Sequence, residues 1–207
     1  MVNDNEELRF LTPTTEDGPL YPPEPIPKRA DLTNEGKAKG ELLILMGVVH
    51  DHRRKPVSGA VVEIWQADNN GYYDHPRARG SDALDKHWEI EREDLDPNFS
   101  YFGSVETDTT GIYWFQTIIP RSYPVLGINR AAHIHMKIWS KMNGVLTTEL
   151  YFQGDEHKSL RDVDKVYQGR HQKSDLIVSF TDYSEHMLER IPELDSVKYC
   201  RRDIFFL

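Results

Sequence analysis

In the run VSGAVVEIWQAD (57–68), Val57, Val61, Glu63 and Trp65 alternate with Ala60, Val62, Ile64 and Gln66. Successive side chains of a strand point to opposite faces. Both faces of this stretch therefore carry apolar groups, as expected of a strand buried inside a sandwich. Similar short runs recur along the chain. ELLILMGVVHD (41–51) ends in a polar turn, and the turn signal TDTTG (107–111) precedes IYWFQTII (112–119). AAHIHMKIWS (131–140) and LTTELYFQG (146–154) flank KMNG, a hairpin connection with Asn143-Gly144 at its tip. SDLIVSFTD (174–182) and YCRRDIFFL (199–207) read as late strands. Helix is scarce, with SLRDVDKVYQG (159–169) and YSEHMLERI (183–191) as the candidates. The pattern predicts a mainly β protein: an antiparallel β-sandwich core with long loops and one or two short helices. ELYFQG (149–154) has the composition of an engineered cleavage tag, but it lies inside a plausible strand and is read as native sequence.

The 207 residues suit one domain spanning 1–207, with residues 1–40 as an extended proline-rich N-terminal arm. Five prolines lie between Pro19 and Pro27, which excludes helix interior and central strand there. The arm is expected to lie across the domain or a neighbouring subunit, or to hang free. The region 76–103 is polar and irregular, and a loop of that length is often functional. No apolar run approaches a bilayer span, and the N-terminus lacks the pattern of a secretory signal, so no membrane is expected. Cys200 is the only cysteine, which excludes an intrachain disulfide framework and a thiolate zinc cluster. A cytoplasmic location is the expectation. The formal charge of −9 argues against a nucleic-acid partner.

His133 and His135 stand two apart in an apolar run. On a strand they share one face, with Ile134 turned the other way. Neutral imidazole is a common metal ligand. The pair alone leaves open a metal site or two structural histidines. No glutamate follows it closely, no cysteine lies near it, and His157, His171 and His186 have no matching context for a 2-His-1-carboxylate site. Tyr73, shortly after Gly71, and Tyr123, in IIPRSYPVLG, sit just past strand ends. Either could be a ligand or ordinary packing.

GVVHDHRRKPVSGAVVEIWQADNNGYYDH, TIIPRSYP and RAAHIHM, in that order, resemble the intradiol ring-cleaving dioxygenases, the group that includes protocatechuate 3,4-dioxygenase and catechol 1,2-dioxygenase. The resemblance runs from about Gly47 to Asp155, with an echo at LTPTTEDGPLY. It implies a non-haem Fe(3+) cofactor held by Tyr73, Tyr123, His133 and His135. It also implies a catechol-type substrate, O2 as co-substrate, and cleavage between the two hydroxylated carbons to a muconate-type diacid. Catechol would displace Tyr123, which then takes up a substrate proton. Arg130 matches the arginine that lies against the substrate ring, where it would stabilise developing negative charge. Tyr151 matches a supporting tyrosine of the motif Q-L-Y-F-x-G-D. A homo-oligomer is expected. In length the chain resembles a protocatechuate-dioxygenase subunit and lacks the helical N-terminal domain of catechol 1,2-dioxygenases.

The chain departs from the pattern at three places. Glu149 stands where the motif has glutamine. It is either an ionised neighbour that cancels part of the Arg130 field or a hydrogen-bonding group with a raised pKa. RAAHIH replaces the usual RPAHIH, and Val125 replaces an aromatic beside the pocket, which leaves the identity of the catechol open. Two rivals remain: a non-catalytic transthyretin-like β-sandwich binding module, and an enzyme using zinc or another divalent metal.

Overall fold

The computed structural model describes residues 10–181 and 197–206. Two five-stranded sheets face each other. In the first, β1 (Leu42–His50) pairs antiparallel with β4 (Ile112–Ile118). Its other edge takes β11 (Lys198–Arg201) and then β12 (Ile204–Phe205), both parallel to it, with β10 (Phe180–Thr181) outside β11. The second sheet runs β3 (Phe102–Glu106), β2 (Val61–Gln66), β7 (His133–Ser140), β8 (Gly144–Phe152), β9 (Ile177–Val178). β5 (Tyr123–Val125) and β6 (Ile128–Arg130) form a separate two-stranded ribbon.

The alternating residues make the core. Leu43, Leu45 and Val49 of β1 and Tyr113 and Phe115 of β4 meet Val62, Ile64, Ile134, Met136, Ile138, Leu150 and Phe152 from the second sheet. All are buried, so each removes roughly 1.5–3 kcal/mol of side-chain hydrophobicity from water. The β-sandwich and the scarcity of helix agree with the sequence. The central pairs β1–β4, β2–β3, β2–β7 and β7–β8 are antiparallel, as expected, and β9, β11 and β12 add to them in parallel.

Other differences have local causes. The late strand is split at Arg202 and Asp203. There the Asp203 carboxylate, rather than a backbone carbonyl, accepts from Val48 N at 3.0 Å. The helix expected at 159–169 is two: α1 (Asp155–Val163) and α2 (Lys165–Gln168). Asp164 ends the first and caps the second, its Oδ1 accepting from Val166 N and Tyr167 N. The irregular region 76–103 is built from short 3-10 turns and ends in β3, a strand the sequence pattern does not announce. Residues 174–176 are a 3-10 turn, not strand. The helix expected at 183–191 lies outside the described residues.

From residue 10 the arm packs across the domain. Arg29 N donates to Ser104 O, and Leu32 N to Gln116 O, both at 2.8 Å. Asp31 anchors its end, accepting from Thr33 N (2.7 Å), Thr33 Oγ1 (2.6 Å), Glu35 N (2.8 Å) and Gln116 Nε2 (3.3 Å). Among the described residues, no helix is long and apolar enough to cross a membrane.

Gly47 faces the split in the late strand, and a β-carbon there would collide with the Arg202 carbonyl. Gly47→Ala is expected to lower the unfolding free energy by about 1–3 kcal/mol in urea titration. An unchanged midpoint would contradict this close approach. Burial alone raises the Asp31 carboxyl, but the hydrogen bonds from Thr33, Glu35 and Gln116 outweigh it and leave the pKa below the ordinary aspartate value. A group depressed on folding contributes its stability above its unfolded pKa and loses it as pH falls through the folded one. Asp31→Asn is therefore expected to destabilise near neutral pH. The gap between the two proteins' urea midpoints should shrink as pH falls below the aspartate range, and a gap independent of pH would contradict the assignment.

Candidate functional site

β7 has β2 on one edge and β8 on the other. Its even positions, Ile134, Met136 and Ile138, face the core between the sheets. Its odd positions present His133, His135 and Lys137 on the opposite face. Strand register then lines up rows across that face: Trp65–His135–Glu149, Glu63–Lys137–Thr147, and His133–Tyr151. The His135 ring stacks on Trp65 at 4.8 Å and 3°.

The arm closes over this face. Asp17 binds Lys137 Nζ at 2.7 Å and Thr147 Oγ1 at 2.6 Å. Gly18, at φ +74°, passes close beside His135, and glycine tolerates that backbone conformation without penalty. Leu20 and Tyr21 pack into a cluster with Trp65, Tyr73, Trp88 and Tyr123. Tyr21 also meets Trp65 edge-on and donates to Glu63 at 2.8 Å.

Tyr73 follows a turn organised by Asp68, whose Oδ1 accepts from Asn70 N (2.7 Å) and Tyr72 N (3.0 Å). Trp88, from the irregular region, donates its Nε1–H to Gly71 O at 3.0 Å and packs against both Tyr73 and Tyr123. Tyr123 lies on the ribbon directly across from Arg130.

Four donor atoms converge. Tyr73 Oη is 3.3 Å from Tyr123 Oη, Tyr123 Oη is 3.5 Å from His133 Nε2, and His133 Nε2 is 3.2 Å from His135 Nε2. All four side chains are buried, with exposures of 1–5%. His133 Nδ1 lies 2.6 Å from Ala131 O, a contact that assigns its N–H there and leaves Nε2 with a free lone pair. Burial drives the His133 pKa well below its ordinary value and that of His135 to about 4, so both are neutral imidazoles at pH 7. Burial likewise holds the Tyr73 and Tyr123 hydroxyls above the ordinary phenol value.

The remaining polar groups form a second cluster. Arg130 Nη2 donates to Glu149 Oε1 at 3.2 Å and to Tyr151 Oη at 3.1 Å, and its Nε to Asp164 Oδ2 at 3.3 Å. Tyr151 Oη donates to Glu149 Oε2 at 3.0 Å. Burial opposes ionisation of Glu149, but the neighbouring His135 and His133 rings and the Arg170 and Arg130 guanidiniums outweigh it, holding the carboxyl well below the usual carboxylate range. Of these neighbours the two guanidiniums are permanently charged. The raised-pKa alternative for Glu149 is thereby corrected: it is a carboxylate inside an ion-pair network.

The structure thus brings Tyr73, Tyr123, His133 and His135 to one point, with Arg130, Glu149 and Tyr151 beside it. Sequence reasoning missed three participants. Trp88 was hidden in an irregular region, while Asp164 and Arg170 arrive from a helix pair distant in sequence. The sequence placed Glu149 beside Arg130 but did not show that it also faces the histidines. Glu149 is the sixth residue of β8, and register sets it opposite His135; His133, His135 and Glu149 offer ligand atoms within 4.8 Å of one another. Glu149 approaches the other edge of the His135 ring, 3.9 Å from Nδ1, and its oxygens already accept from Arg130, Arg170 and Tyr151. Tyr123 instead lies on the Nε2 side, its Oη 3.5 Å from His133 Nε2 and 3.3 Å from Tyr73 Oη.

A family profile described as Dioxygenase matches residues 16–194. The chain is 36% identical over 161 residues to the protocatechuate 3,4-dioxygenase beta chain of Burkholderia cepacia, covering 73% of this chain and 62% of that protein. It is 30% identical over 172 residues to catechol 1,2-dioxygenase 1 of Acinetobacter lwoffii, covering 72% and 49%. The chain thus spans 49–62% of the length of these curated relatives. In fold it is similar to the hydroxyquinol 1,2-dioxygenase structure from Pseudomonas putida, with a TM-score of 0.70 at 23% identity over 98% of this chain and 70% of that one.

Asp164 is fully buried and accepts from Arg130 Nε, Ala131 N, Val166 N and Tyr167 N. Asp164→Ala removes one partner of a buried pair together with a helix cap, and should cost about 3–5 kcal/mol in urea unfolding. A loss under about 1 kcal/mol, the scale of a cap alone, would contradict the structural role assigned to this carboxylate.

Proposed function

The chain belongs to the intradiol ring-cleavage dioxygenase family, and we propose that it opens a catechol-type ring between its two hydroxylated carbons with O2, yielding a muconate-type diacid. Both oxygen atoms enter the product and the substrate supplies the electrons, so no external reductant is involved. One observation carries the reading: two buried phenols and two buried neutral imidazoles meet at one point, with successive gaps of 3.2–3.5 Å.

This donor set fits a ferric ion. Two imidazole nitrogens 3.2 Å apart are both buried, and neither ring is protonated at pH 7. Two adjacent buried phenols lie where only a strong local cation could ionise them. With Nε2 given to a metal, the His135 N–H would sit on Nδ1, which has no hydrogen-bond partner and lies 3.9 Å from Glu149 Oε1. We assign Tyr73, Tyr123, His133 and His135 as the residues that would hold the iron. When bound, the ferric ion supplies the charge that ionises the phenols and draws electron density from the substrate's two oxygens. Two phenolates offset most of that charge in a dry pocket, which lowers the cost of burying it.

The residues divide the remaining work. His133 and His135 sit on a strand paired along both edges and serve as fixed supports. Tyr123 sits on a two-stranded ribbon outside the sheets, and such ribbons hold their shape weakly. Tyr123 is thus placed to move aside and accept, at Oη, one of the two protons the catechol sheds; the other goes to solvent. Arg130, across the ribbon, presents its guanidinium to negative charge developing on the ring. Tyr151 and Glu149 orient Arg130 through hydrogen bonds. Trp88, Leu20 and Tyr21 wall the site from water, and Val125 leaves room beside it. A homo-oligomeric assembly and a cytoplasmic location form part of the same proposal. A transthyretin-like binding module would have no use for this convergence of donors.

Tyr73→Phe, His133→Ala and His135→Ala are each expected to lose most of the iron, measured as metal per chain. Arg130→Met should retain iron and lower oxygen uptake with a panel of substituted catechols by about 10²-fold. Full iron retention in all three ligand variants, or undiminished uptake without Arg130, would contradict these assignments.

A further inference from the structure

A buried glutamate beside Arg130 raises a physical difficulty. A lone carboxylate there would draw the guanidinium onto itself and cancel the field that the proposed chemistry needs. The structure shows what limits this. Arg170 meets Glu149 with two prongs, Nε to Oε2 at 3.0 Å and Nη2 to Oε1 at 2.9 Å. Arg130 makes only one contact to the same carboxylate, at 3.2 Å, and shares that nitrogen with Tyr151. Its Nε is held separately by Asp164. The Glu149 side chain is 1% exposed, that of Asp164 0%, that of Arg130 11% and that of Arg170 17%. Two guanidiniums and two carboxylates therefore share one water-poor region with no net charge.

The helix α2 joins the two halves of this arrangement. Asp164, which caps its N-terminus, holds Arg130. Arg170, in the turn beyond its C-terminus with its N–H on Tyr167 O at 3.0 Å, holds Glu149. One short helix thus fixes both the arginine facing the site and the carboxylate that competes for it.

We propose that Arg170 is a positioning residue: it occupies both oxygens of Glu149 so that Arg130 stays directed at the substrate, and the Glu149–Arg170 ion pair stands in this chain for the single neutral glutamine of the family motif. This rests on the role given to Arg130 in the proposed function. It follows that the two residues are exchangeable only together. Either one without the other leaves an uncompensated buried charge next to Arg130, whereas the pair can be replaced by a neutral amide and an apolar side chain.

The test compares the unsubstituted protein with Arg170→Met, Glu149→Gln and the double variant, in two measurements. In iron-loaded protein with catechol, each single substitution is expected to lower kcat/KM by about 30-fold, chiefly through kcat, because Arg130 acts on charge that develops during reaction. The double variant is expected to return to within about threefold. In metal-free protein, the urea midpoint should fall in both single variants and recover in the double. Multiplicative losses in the double variant, together with additive midpoints, would overturn the proposal. If none of the four proteins consumes oxygen with any catechol, the proposed function fails and the midpoints alone decide: recovery upholds the pairing and additivity overturns it. Where Arg170→Met does not fold, Arg170→Gln with and without Glu149→Gln provides the same comparison.

Discussion

The period of two along β7 is the constraint on which the rest of this structure depends. Ile134, Met136 and Ile138 are locked between the sheets, so His133 and His135 have no choice of direction. Slipping the strand by one residue would bury both imidazoles in the apolar core and expose the isoleucines. Pairing along both edges makes such a slip costly. The same register places Trp65 and Glu149 on either side of His135, and Tyr151 beside His133. The geometry of the site is thus inherited from the hydrophobic core rather than built by the site residues themselves.

On that rigid face the electrostatics are layered. Nearest the donors lie neutral groups that burial keeps neutral: two imidazoles and two phenols. Next to them lies a cluster of permanent charges, Arg130, Arg170, Glu149 and Asp164, paired two against two. The first layer is poised to accept a cation, because a cation would relieve the penalty on ionised phenols. The second directs one guanidinium toward the site without adding net charge to it. The arm completes the enclosure, and its glycine at residue 18 lets backbone pass where a side chain would be strained.

Much of this was legible in the chain itself, and the reasons differ by residue. The alternation in 57–66 and 133–140 made β2 and β7 visible, because both faces of each strand have something to bury. Histidines two apart on such a strand were bound to share a face. The tyrosines were recognisable only through their motif context, since a tyrosine past a strand end is usually packing. What escaped were contacts created by register and by long returns of the chain. Glu149 is fourteen residues from His135 in sequence yet directly opposite it. Asp164 and Arg170 reach the site because an aspartate breaks a helix that its periodicity alone would have continued. The parallel additions of β9, β11 and β12 were likewise invisible, because local pattern carries no information on strand direction.

The most direct test is crystallographic. Crystals of iron-loaded protein, measured at the iron absorption edge, should show one anomalous peak bounded by Tyr73 Oη, Tyr123 Oη, His133 Nε2 and His135 Nε2. A peak seated instead between Glu149 and the Nδ1 edge of His135, with the two phenol oxygens turned away, would contradict the account, as would four donors drawn together with no peak among them after loading.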